Sequence, residues 1–270
     1  MSILEKDAII GIVGGMGPES GLALFNDILC HSNATTDQTH LSVILMSFPK
    51  YIVDRTLFLE GLTTINPAFN IIEVIRKLEN AGAKVVGIAC NTSHSPQIYK
   101  VILEELDKAN SQVRLINMPF ETCMYIKRNH PHIRRVGIMT TNGAYKSGLY
   151  NNMLKDIGYE VIIPKFRFQN DIIHKMIYDQ KFGIKSNPNT TTKMVKQFVN
   201  KALNFFKKNG AEAVILGCTE LSLVLTKKVV NDMFIIDSTE CLAKALIREA
   251  TVYQEETTAT TFKNTQLSVL

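Results

Sequence analysis

The segment GAKVVGIAC at residues 82–90 recurs as GAEAVILGC at residues 210–218, so its first and last residues are both displaced by 128 positions. Each copy consists of a glycine, a run of mainly apolar residues and a final cysteine. Continuous apolar runs of this length are typical of parallel strands that are buried on both faces of a sheet. A second correspondence relates Gly11-Ile-Val to Gly137-Ile-Met with an offset of 126. The repeat predicts two similar α/β halves related by approximate twofold symmetry.

Helical patterns lie between further apolar runs along almost the whole chain. Asn66-Pro67 is a typical helix start, and Gly82 is a typical helix end. A later helix, from about Thr190, has one apolar face and lysines on the other. This alternation predicts two pseudo-symmetric, doubly wound parallel-sheet α/β domains, with ligands at the carboxyl ends of the strands. The predicted strands are residues 8–13, 41–47, 84–89, 113–117, 135–140, 160–163, 212–216 and 233–236.

The domain boundaries are expected to divide the chain unevenly. We assign residues 1–118 together with about 222–250 to the first domain, and about 119–221 to the second. No low-complexity linker separates the halves, which favours intimate packing between them. Residues 252–270 are rich in Thr and Glu and are predicted to form a loose tail.

Composition narrows the classes of function. The chain of 270 residues has 46% hydrophobic residues and a formal charge of +5, and its lysines are scattered. No basic cluster with interleaved aromatic residues predicts nucleic-acid binding. Neither a signal peptide nor a run of about 20 apolar residues is present, so we expect a cytoplasmic protein without a membrane partner. The five cysteines are widely spaced and form no CxxC motif, so neither disulfides nor a zinc site is expected.

Two of the cysteines occupy positions suited to chemistry. Cys90-Asn-Thr and Cys218-Thr-Glu each follow a predicted strand directly and begin a polar turn. Both thiols are therefore predicted at the ligand-binding edge, near a helix start that favours the thiolate. A thiol with a pKa of about 8.5 needs only a modest shift to act as a base. The alternative is that a cysteine is a small core residue, and it is favoured for Cys30, Cys123 and Cys241.

A glycine-rich turn follows the first predicted strand. In GIVGGMGP at residues 11–18, a strand runs into glycines and then into a helix, an arrangement that cradles anions. A dinucleotide site would need a third glycine where Ser20 stands, and an acidic residue after the second strand. That strand ends in MSFP at residues 46–49 instead, so a nucleotide cofactor is not expected.

Other polar residues fall in predicted loops at the same edge. Arg55 is suited to holding a carboxylate through two parallel hydrogen bonds, although pairing with Asp54 at the surface is an alternative. His94, four residues after Cys90, either assists the thiol or has a structural role. The remaining histidines form no convincing set of metal ligands. The polar turn after the fifth strand contributes Thr141, Asn142 and Ser147.

Four motifs together resemble the aspartate racemase branch of the Asp/Glu racemase superfamily. They occur in the order that the family has and extend over about 210 residues, nearly everything except the tail. The motifs are GIVGGMGP at 11–18, DRT at 54–56, CNTSH at 90–94 and GCTEL at 217–221.

The resemblance implies an amino-acid racemase that uses neither pyridoxal phosphate nor any other cofactor, with its site in the cleft between the two domains. It implies that Cys90 and Cys218 are opposed proton-transfer bases and that Arg55 binds a substrate carboxylate. Glu220 implies the aspartate-like branch, because glutamate racemases usually have histidine there. A homodimer is the expected assembly, and a small amino acid, aspartate first, is the expected substrate. The other substrate-binding residues implied are Met16, Gly17, Asn91, Thr92, Thr141, Ser147, Lys181 and Thr219.

Two positions depart from the pattern of this family. The family turn Thr-Asn-Gly-Thr ends here in Ala144, which removes a hydroxyl. The segment IYDQKFG at residues 177–183, which contains Lys181, is one residue shorter than its counterpart. On a helix, one residue rotates a side chain by about 100°, which bears on the direction of Lys181.

Other functions are compatible with these residues. Within the superfamily, the alternatives are a maleate isomerase, a hydantoin racemase or a glutamate-type racemase. A decarboxylase is less favoured, because two cysteines permit proton transfer at both faces of a substrate. A different class is a non-catalytic carboxylate-binding protein on the same fold, since a fold does not determine function.

Overall fold

The computed structural model describes the backbone of residues 7–267 and the side chains of residues 7–256. Within this part of the chain lie a four-stranded sheet of order β2-β1-β3-β4 and a five-stranded sheet of order β6-β5-β7-β9-β8. The first sheet consists of β1 (Ile10–Val13), β2 (Val43–Met46), β3 (Val85–Ile88) and β4 (Arg114–Ile116). The second consists of β5 (Arg135–Thr140), β6 (Glu160–Ile162), β7 (Ala213–Gly217), β8 (Val229–Val230) and β9 (Met233–Asp237).

Helices connect the strands and cover both sheets. The longer ones are α1 (Glu19–His31), α3 (Ala68–Asn80), α4 (Pro96–Lys108), α5 (Met118–Asn129), α7 (Leu149–Asp156), α10 (Lys193–Lys208) and α11 (Ser238–Leu267). The shorter ones are α2 (Arg55–Leu59), α6 (Asn142–Lys146), α8 (Phe166–Phe168) and α9 (Lys175–Tyr178). Single turns of 3-10 helix lie at Asp37–Thr39, Pro49–Tyr51, Asn91–His94, Ile184–Ser186 and Thr219–Leu223, and a π-helical turn lies at Gln169–His174.

The predicted α/β class is confirmed, and all eight predicted strands are present. Every pair in the two sheets is parallel except β8 with β9, which is antiparallel. β8 was not predicted because two residues carry no periodic pattern. The helix predicted after Asn66 is also present: the Asn66 side chain accepts a hydrogen bond from the Ala68 N–H at 2.9 Å. Gly82 ends it with a φ of 101°, a conformation that favours glycine.

The two sheets share one topology, and the sequence repeat matches it residue by residue. β2-β1-β3-β4 corresponds to β6-β5-β7-β9. Gly11 pairs with Val86 in the first sheet, and Gly137 pairs with Val214 in the second. These pairs reproduce the offsets of 126 and 128 residues. The approximate symmetry inferred from the repeat is therefore a property of the strand register.

The glycine in β1 and in β5 lets a helix pack closely on the sheet. A Cβ atom at Gly11 would lie 3.4 Å from Cβ of Leu78 on α3 and 2.9 Å from Cβ of Ala83. A Cβ atom at Gly137 would lie 2.5 Å from the ring of Phe206 on α10. Leu78 and Phe206 are themselves related by the offset of 128. The same contact between helix and sheet thus anchors both halves.

The last helix of each half packs on the other half. α5 follows β4 of the first sheet, but its Cys123 and Ile126 belong to the core around β5 and β7. α11 follows β9 of the second sheet, but Leu242 and Leu246 belong to the core around β1 and β3. Arg248 on α11 forms an ion pair with Glu121 on α5 at 3.0 Å. The exchange of helices joins the halves into one packed unit.

This exchange corrects the expected domain boundary near residue 222. β9 pairs with β7 in the second sheet, so the chain does not return to the first half until α11 begins at Ser238. Assigning residues 222–237 to the first domain is therefore wrong. The sequence pattern did not reveal this, because a buried strand has the same apolar composition in either sheet.

The predicted loose tail is also corrected. Residues 252–267 continue α11, and residues 268–270 lie outside the described part of the chain. Arg114 forms an ion pair with Glu256 and lies 5.3 Å from the ring centre of Tyr253. The start of this segment therefore contacts β4. Within the described residues, no helix is long and apolar enough to span a membrane.

We predict that Gly137→Ala destabilises the protein because the new Cβ overlaps the Phe206 ring. The expected loss in free energy of unfolding is about 1–3 kcal/mol. Phe206→Leu should relieve the overlap, so the double variant should lose less than the sum of the single losses, with a coupling of about 0.5–3 kcal/mol. Urea unfolding measures all four proteins. Phe198→Leu on the same helix is the control and should combine additively with Gly137→Ala. Additivity with Phe206→Leu as well would contradict the proposed contact.

Candidate active site

The two repeated cysteines end the central strands of the two sheets. Cys90 follows β3 and Cys218 follows β7, and each immediately precedes a 3-10 turn. Both are buried, with 8% and 5% of their surface exposed. In each sheet this strand lies beside β1 or β5, where the strand order reverses and ligands of open α/β sheets usually bind. The symmetry of the repeat thus provides two thiols at equivalent strand ends.

Both thiols line one small cavity between the halves. Its volume is about 10 Å³, close to the ~10–15 Å³ that a single water molecule requires. The described conformation is therefore closed, and a substrate has to displace side chains or separate the halves. The lining residues are Met16, Arg55, Ala89, Cys90, Asn91, Thr92, Thr141, Tyr178, Lys185, Cys218, Thr219 and Glu220.

Most of the predicted site residues meet at this cavity. Six lie on its wall beside the two cysteines: Met16, Arg55, Asn91, Thr92, Thr141 and Thr219. Gly17 adjoins it, and its N–H donates to Oε1 of Glu220 at 3.3 Å. Ser147 and Lys181 are not brought to the cavity.

Arg55 lies beside Cys90 as a buried cation. It is only 4% exposed, donates to the carbonyl oxygens of Met16 at 2.6 Å and Val53 at 3.3 Å, and lines the same cavity as the Cys90 thiol. Burial acts to lower the pKa of Arg55, but Cys90 and the other neighbouring groups outweigh it and raise the pKa. Its Nε is buried with no partner among the described residues. The alternative of a surface arginine is therefore wrong.

Asp54 has a different role from the predicted pairing with Arg55. Its Oδ1 accepts from the N–H groups of Thr56 at 2.8 Å and Leu57 at 3.0 Å, and so caps α2. Its Oδ2 accepts from the hydroxyl of Tyr178 at 3.0 Å. Asp54 thus fixes the start of α2, which positions Arg55. It also links this helix to Tyr178, which lines the cavity.

Cys218 lies beside a carboxylate. Its Sγ donates to Oε2 of Glu220 at 2.9 Å, and Oε1 of Glu220 accepts from Lys185 and from the Gly17 N–H. Burial alone would raise the pKa of Glu220, but Lys185 and the Cys218 hydrogen bond lower it to about 2. Burial and the Glu220 charge raise the pKa of Cys218 well above its ordinary value. The expectation that the turn favours thiolate is therefore wrong for Cys218.

Hydroxyl pairs join the polar turns of the two halves. Oγ1 of Thr92 lies 3.0 Å from Oγ1 of Thr141, and Oγ of Ser20 lies 2.6 Å from Oγ1 of Thr219. Asn91 is held separately: its Nδ2 donates to Oγ of Ser238 at 2.9 Å, and its Oδ1 accepts from the hydroxyl of Tyr150. These contacts fix hydrogen-bonding groups around the two thiols.

His94 has a structural role. Its Nδ1 lies 2.9 Å from the carbonyl oxygen of Cys90, and its Nε2 accepts from the Met118 N–H at 3.4 Å. Nδ1 therefore carries the proton and donates to Cys90. Burial lowers the pKa of His94 to about 4, so the ring is neutral at pH 7. Because both ring nitrogens are engaged by backbone groups, His94 holds the turn and does not contact the thiol as a base.

Lys185 takes the place at the cavity that Lys181 was predicted to take. Lys181 is exposed, whereas Nζ of Lys185 donates to the carbonyl oxygen of Met16 at 2.8 Å and forms an ion pair with Glu220. Nζ of Lys185 also lies 5.4 Å from the ring centre of Tyr178. α9 ends at Tyr178, before Lys181, and the chain then turns, so helical spacing does not determine the direction of the Lys181 side chain.

Sequence reasoning missed Tyr178 and Lys185 and used Glu220 only to distinguish branches of the family. One signal was available: Tyr178 lies in the same segment as Lys181, and Lys185 lies four residues after Lys181. Finding Lys185 from sequence would have required knowing where α9 ends.

The remaining expectations concern the turn after β5. Oγ of Ser147 lies 3.1 Å from Oγ of Ser95 and donates to the Ala144 carbonyl at 3.0 Å, so it joins the halves away from the thiols. Ala144 is buried among apolar residues of the second half, so the hydroxyl that the family has at this position would not reach the cavity.

In the described residues, no group of three or more His, Cys, Asp or Glu side chains is placed to hold a metal ion.

Comparisons with known proteins agree with this arrangement. The family model described as Asp/Glu/hydantoin racemase matches residues 13–246. The broad specificity amino-acid racemase RacX of Bacillus subtilis (strain 168) is 27% identical over 253 residues, which are 91% of this chain and 100% of that protein. The structure of Picrophilus torridus aspartate racemase is 28% identical with a TM-score of 0.74, covering 90% of this chain and 94% of that one. A Francisella tularensis subsp. tularensis SCHU S4 glutamate racemase, solved with D-glutamate, has the same fold at 18% identity, with a TM-score of 0.66 and coverage of 93% and 83%.

The buried neutral state of His94 predicts a loss of stability in acid. The pKa of this histidine is about 4 in the folded protein, against 6.5 for an unperturbed side chain. Between these values the unfolded chain binds more protons, so stability falls as pH falls through this window. The loss attributable to His94 is about 3 kcal/mol from pH 6.5 to pH 4. Urea unfolding of the wild type and His94→Gln at pH 7 and near pH 4.5 measures the difference.

The variant should lose less stability in acid than the wild type. The exposed His40 provides the control, because His40→Gln should retain the wild-type dependence. An equal acid-induced loss in the wild type and in His94→Gln would contradict the assignment of a buried neutral ring.

Proposed function

Because the chain belongs to the Asp/Glu/hydantoin racemase family, we propose that it is an amino-acid racemase that interconverts L- and D-aspartate without a cofactor. The observation that carries this proposal is the pair of thiols, Cys90 and Cys218, which end equivalent strands and line one cavity. Racemisation requires a base at one face of Cα and an acid at the other. Two thiols related by approximate twofold symmetry supply both groups.

In the proposed reaction, one cysteine acts as a thiolate and the other as a thiol. The thiolate removes the proton from Cα, and the electron pair of the C–H bond remains on the substrate as a carbanion. The opposite thiol then delivers its proton to the other face of Cα and becomes a thiolate. For the other enantiomer the two roles are exchanged, and no atom is gained or lost overall.

The developing negative charge requires fixed hydrogen-bond donors. Asn91, Thr92, Thr141 and Thr219 line the cavity between the thiols, and their side chains are held by partners across the halves. We propose that they bind the α-carboxylate and the α-amino group. Because these groups are positioned before the substrate arrives, little reorganisation is needed when the carbanion forms.

Two cations support a dicarboxylic amino acid as the substrate. Arg55 has a buried Nε with no partner among the described residues, and Lys185 reaches the cavity from the other half. A guanidinium suits bidentate binding of a carboxylate, and an ammonium acts as a point charge. The cavity is small, which favours a short side chain such as that of aspartate. The similarity to Picrophilus torridus aspartate racemase is consistent with this choice.

We also propose that the protein is a homodimer and acts in the cytoplasm. Both statements extend expectations from the sequence, and the first follows from the family resemblance.

Incubation with L-aspartate in D₂O without added cofactor tests the function. We predict that the wild type replaces the Cα proton with deuterium and forms D-aspartate, followed by NMR and chiral chromatography. Cys90→Ala and Cys218→Ala should each slow inversion by about 10²–10⁴-fold, because each lacks one proton-transfer group. Each variant retains one base, so each should still exchange the Cα proton of a single enantiomer, and a different one in each case.

Cys30→Ala is the matched control, since Cys30 is exposed and remote from the cavity, and should racemise as the wild type does. Failure of the folded wild type to exchange the Cα proton of aspartate or of other amino acids would overturn the racemase proposal. Exchange and inversion that persist in both cysteine variants would overturn the two-thiol mechanism alone.

The two lysines predict a difference in affinity for aspartate. Lys185→Met should raise KM by about 10–100-fold, because it removes a charge-assisted hydrogen bond to the side-chain carboxylate. Lys181→Met is the matched control and should leave KM unchanged, since Lys181 is exposed. Steady-state kinetics with aspartate measure both variants, and circular dichroism checks their folding. An effect confined to Lys181→Met would reverse the assignment of the substrate-binding lysine.

A further inference from the structure

The two thiols are equivalent in the fold but differ in their electrostatic surroundings. The offset of 128 that relates Cys90 to Cys218 also relates Thr92 to Glu220. A neutral hydroxyl therefore lies two residues after the first thiol, and a carboxylate lies two residues after the second. This difference breaks the symmetry at the position whose side chain contacts the Cys218 thiol, so the two cysteines have different neighbours.

The contact between Cys218 and Glu220 has a defined direction. Sγ of Cys218 lies 2.9 Å from Oε2 of Glu220, and Oγ1 of Thr219 lies 3.3 Å from the same oxygen. The other oxygen accepts from Lys185 and from the Gly17 N–H. A carboxylate bound by an ammonium and a backbone N–H is ionised and accepts hydrogen bonds only. The proton in the contact with Cys218 therefore resides on sulfur.

The charged and titratable groups around Cys218 come from three elements. Glu220 lies on the turn that follows β7, Lys185 lies on the turn Ile184–Ser186, and Tyr178 lies at the end of α9. Of these, only Glu220 accepts a hydrogen bond from the thiol. Lys185 favours a thiolate at Cys218, but its Nζ is bound to Glu220 and to the Met16 carbonyl. The carboxylate is therefore the group in direct contact with sulfur.

Cys90 has the opposite partner. The Arg55 guanidinium lines the cavity together with its thiol, and a guanidinium has only donors to offer. The cavity therefore has a cation near Cys90 and a carboxylate in contact with Cys218. No carboxylate among the described residues lines the cavity beside Cys90; Glu220, which contacts Cys218, is the only one on its wall.

We propose that Glu220 is a positioning residue that holds Cys218 as the thiol in the resting protein, so that Cys90, near Arg55, is the base that accepts the first proton. The inference rests on the proposed function and assigns the two roles that the repeat alone leaves equal. The substrate enantiomer whose Cα–H faces Cys90 is then the one that the resting protein is ready to deprotonate. Cys90 becomes the thiol, and Cys218 gives its proton to Cα and becomes the thiolate.

After such a turnover, the Cys218 thiolate lies next to the Glu220 carboxylate. Like charges at this separation repel each other, and Lys185 offsets only part of the repulsion because it is shared with Glu220. Cys218 therefore regains a proton and Cys90 loses one, either through water or by turnover of the opposite enantiomer. Glu220 thus restores one resting form after each cycle.

NMR of the protein labelled at cysteine Cβ tests the resting state without substrate. The Cβ shift distinguishes thiol from thiolate, and Cys90→Ala and Cys218→Ala assign the two signals. We predict that Cys218 of the wild type is a thiol at neutral pH. Glu220→Gln should lower the pH at which Cys218 titrates by about 1–3 units, because the neighbouring negative charge is lost. Glu220→Asp, which retains the carboxylate, should largely preserve the wild-type titration.

The pH dependence of kcat/KM provides a second readout that a purely structural role would not move. Loss of the Cys218 proton defines the alkaline limb, so Glu220→Gln should shift that limb to lower pH by a similar amount and leave the acid limb in place. Lys185→Met should shift the Cys218 titration in the opposite direction, because a positive charge near the thiol is lost. Glu60→Gln, which alters a carboxylate paired with Lys146 outside the cavity, should change neither limb.

The outcomes separate this inference from the proposed function. A Cys218 titration that is unchanged in Glu220→Gln, or a resting thiolate at Cys218, would overturn the role of Glu220 even in an active racemase. The predicted titrations in a protein that does not exchange the Cα proton would uphold the asymmetry and overturn the racemase proposal. If Glu220→Gln does not fold, the Lys185→Met titration and the wild-type assignment decide the question.

Discussion

The ion pair between Lys185 and Glu220 is the interaction on which the candidate site depends. Glu220 is 4% exposed and reaches the cavity from the end of β7, while Lys185 reaches it from the turn after α9. A carboxylate buried in this way costs several kcal/mol unless its oxygens are fully engaged. Here, one oxygen accepts from Lys185 and Gly17, and the other accepts from Cys218 and Thr219. Gly17 belongs to the first half and the other three partners belong to the second, so the two halves together complete the hydrogen bonds of the carboxylate.

The repeat explains how much of this arrangement was predictable from sequence. A buried parallel strand, a glycine under a close helix and a cysteine at the strand end are local patterns, and all of them recur at a constant offset. The strands, the positions of Cys90 and Cys218, and the gathering of Asn91, Thr92 and Thr219 followed from those patterns. Local patterns do not specify which sheet a strand joins, so β9 was assigned to the wrong half.

Side chains on irregular segments were the least predictable part of the site. Lys181 was expected at the cavity because it matches a lysine segment of the family, but α9 ends at Tyr178 and Lys185 reaches the cavity from the following turn. Arg55 was open to two interpretations, because spacing gives no information on whether a loop is covered by the other half. Burial decides between them: Arg55 contacts the Met16 carbonyl and lines the same cavity as Cys90 inside the molecule. Predicting such contacts requires the packing of the halves as well as the pattern of either one.

The contacts of Lys185 that close the cavity involve carboxylate and carbonyl acceptors, and an anionic ligand offers acceptors of the same kind. Lys185 and the Gly17 N–H now bind the Glu220 carboxylate, and Lys185 also donates to the Met16 carbonyl. Lys185 has three N–H donors, of which Glu220 and the Met16 carbonyl use two, so the third can bind a substrate carboxylate while Glu220 keeps its cation. Under the proposed function, this contact offsets part of the cost of separating the halves. A neutral molecule of the same size lacks it, so closure of the cavity favours the acidic substrate that we propose.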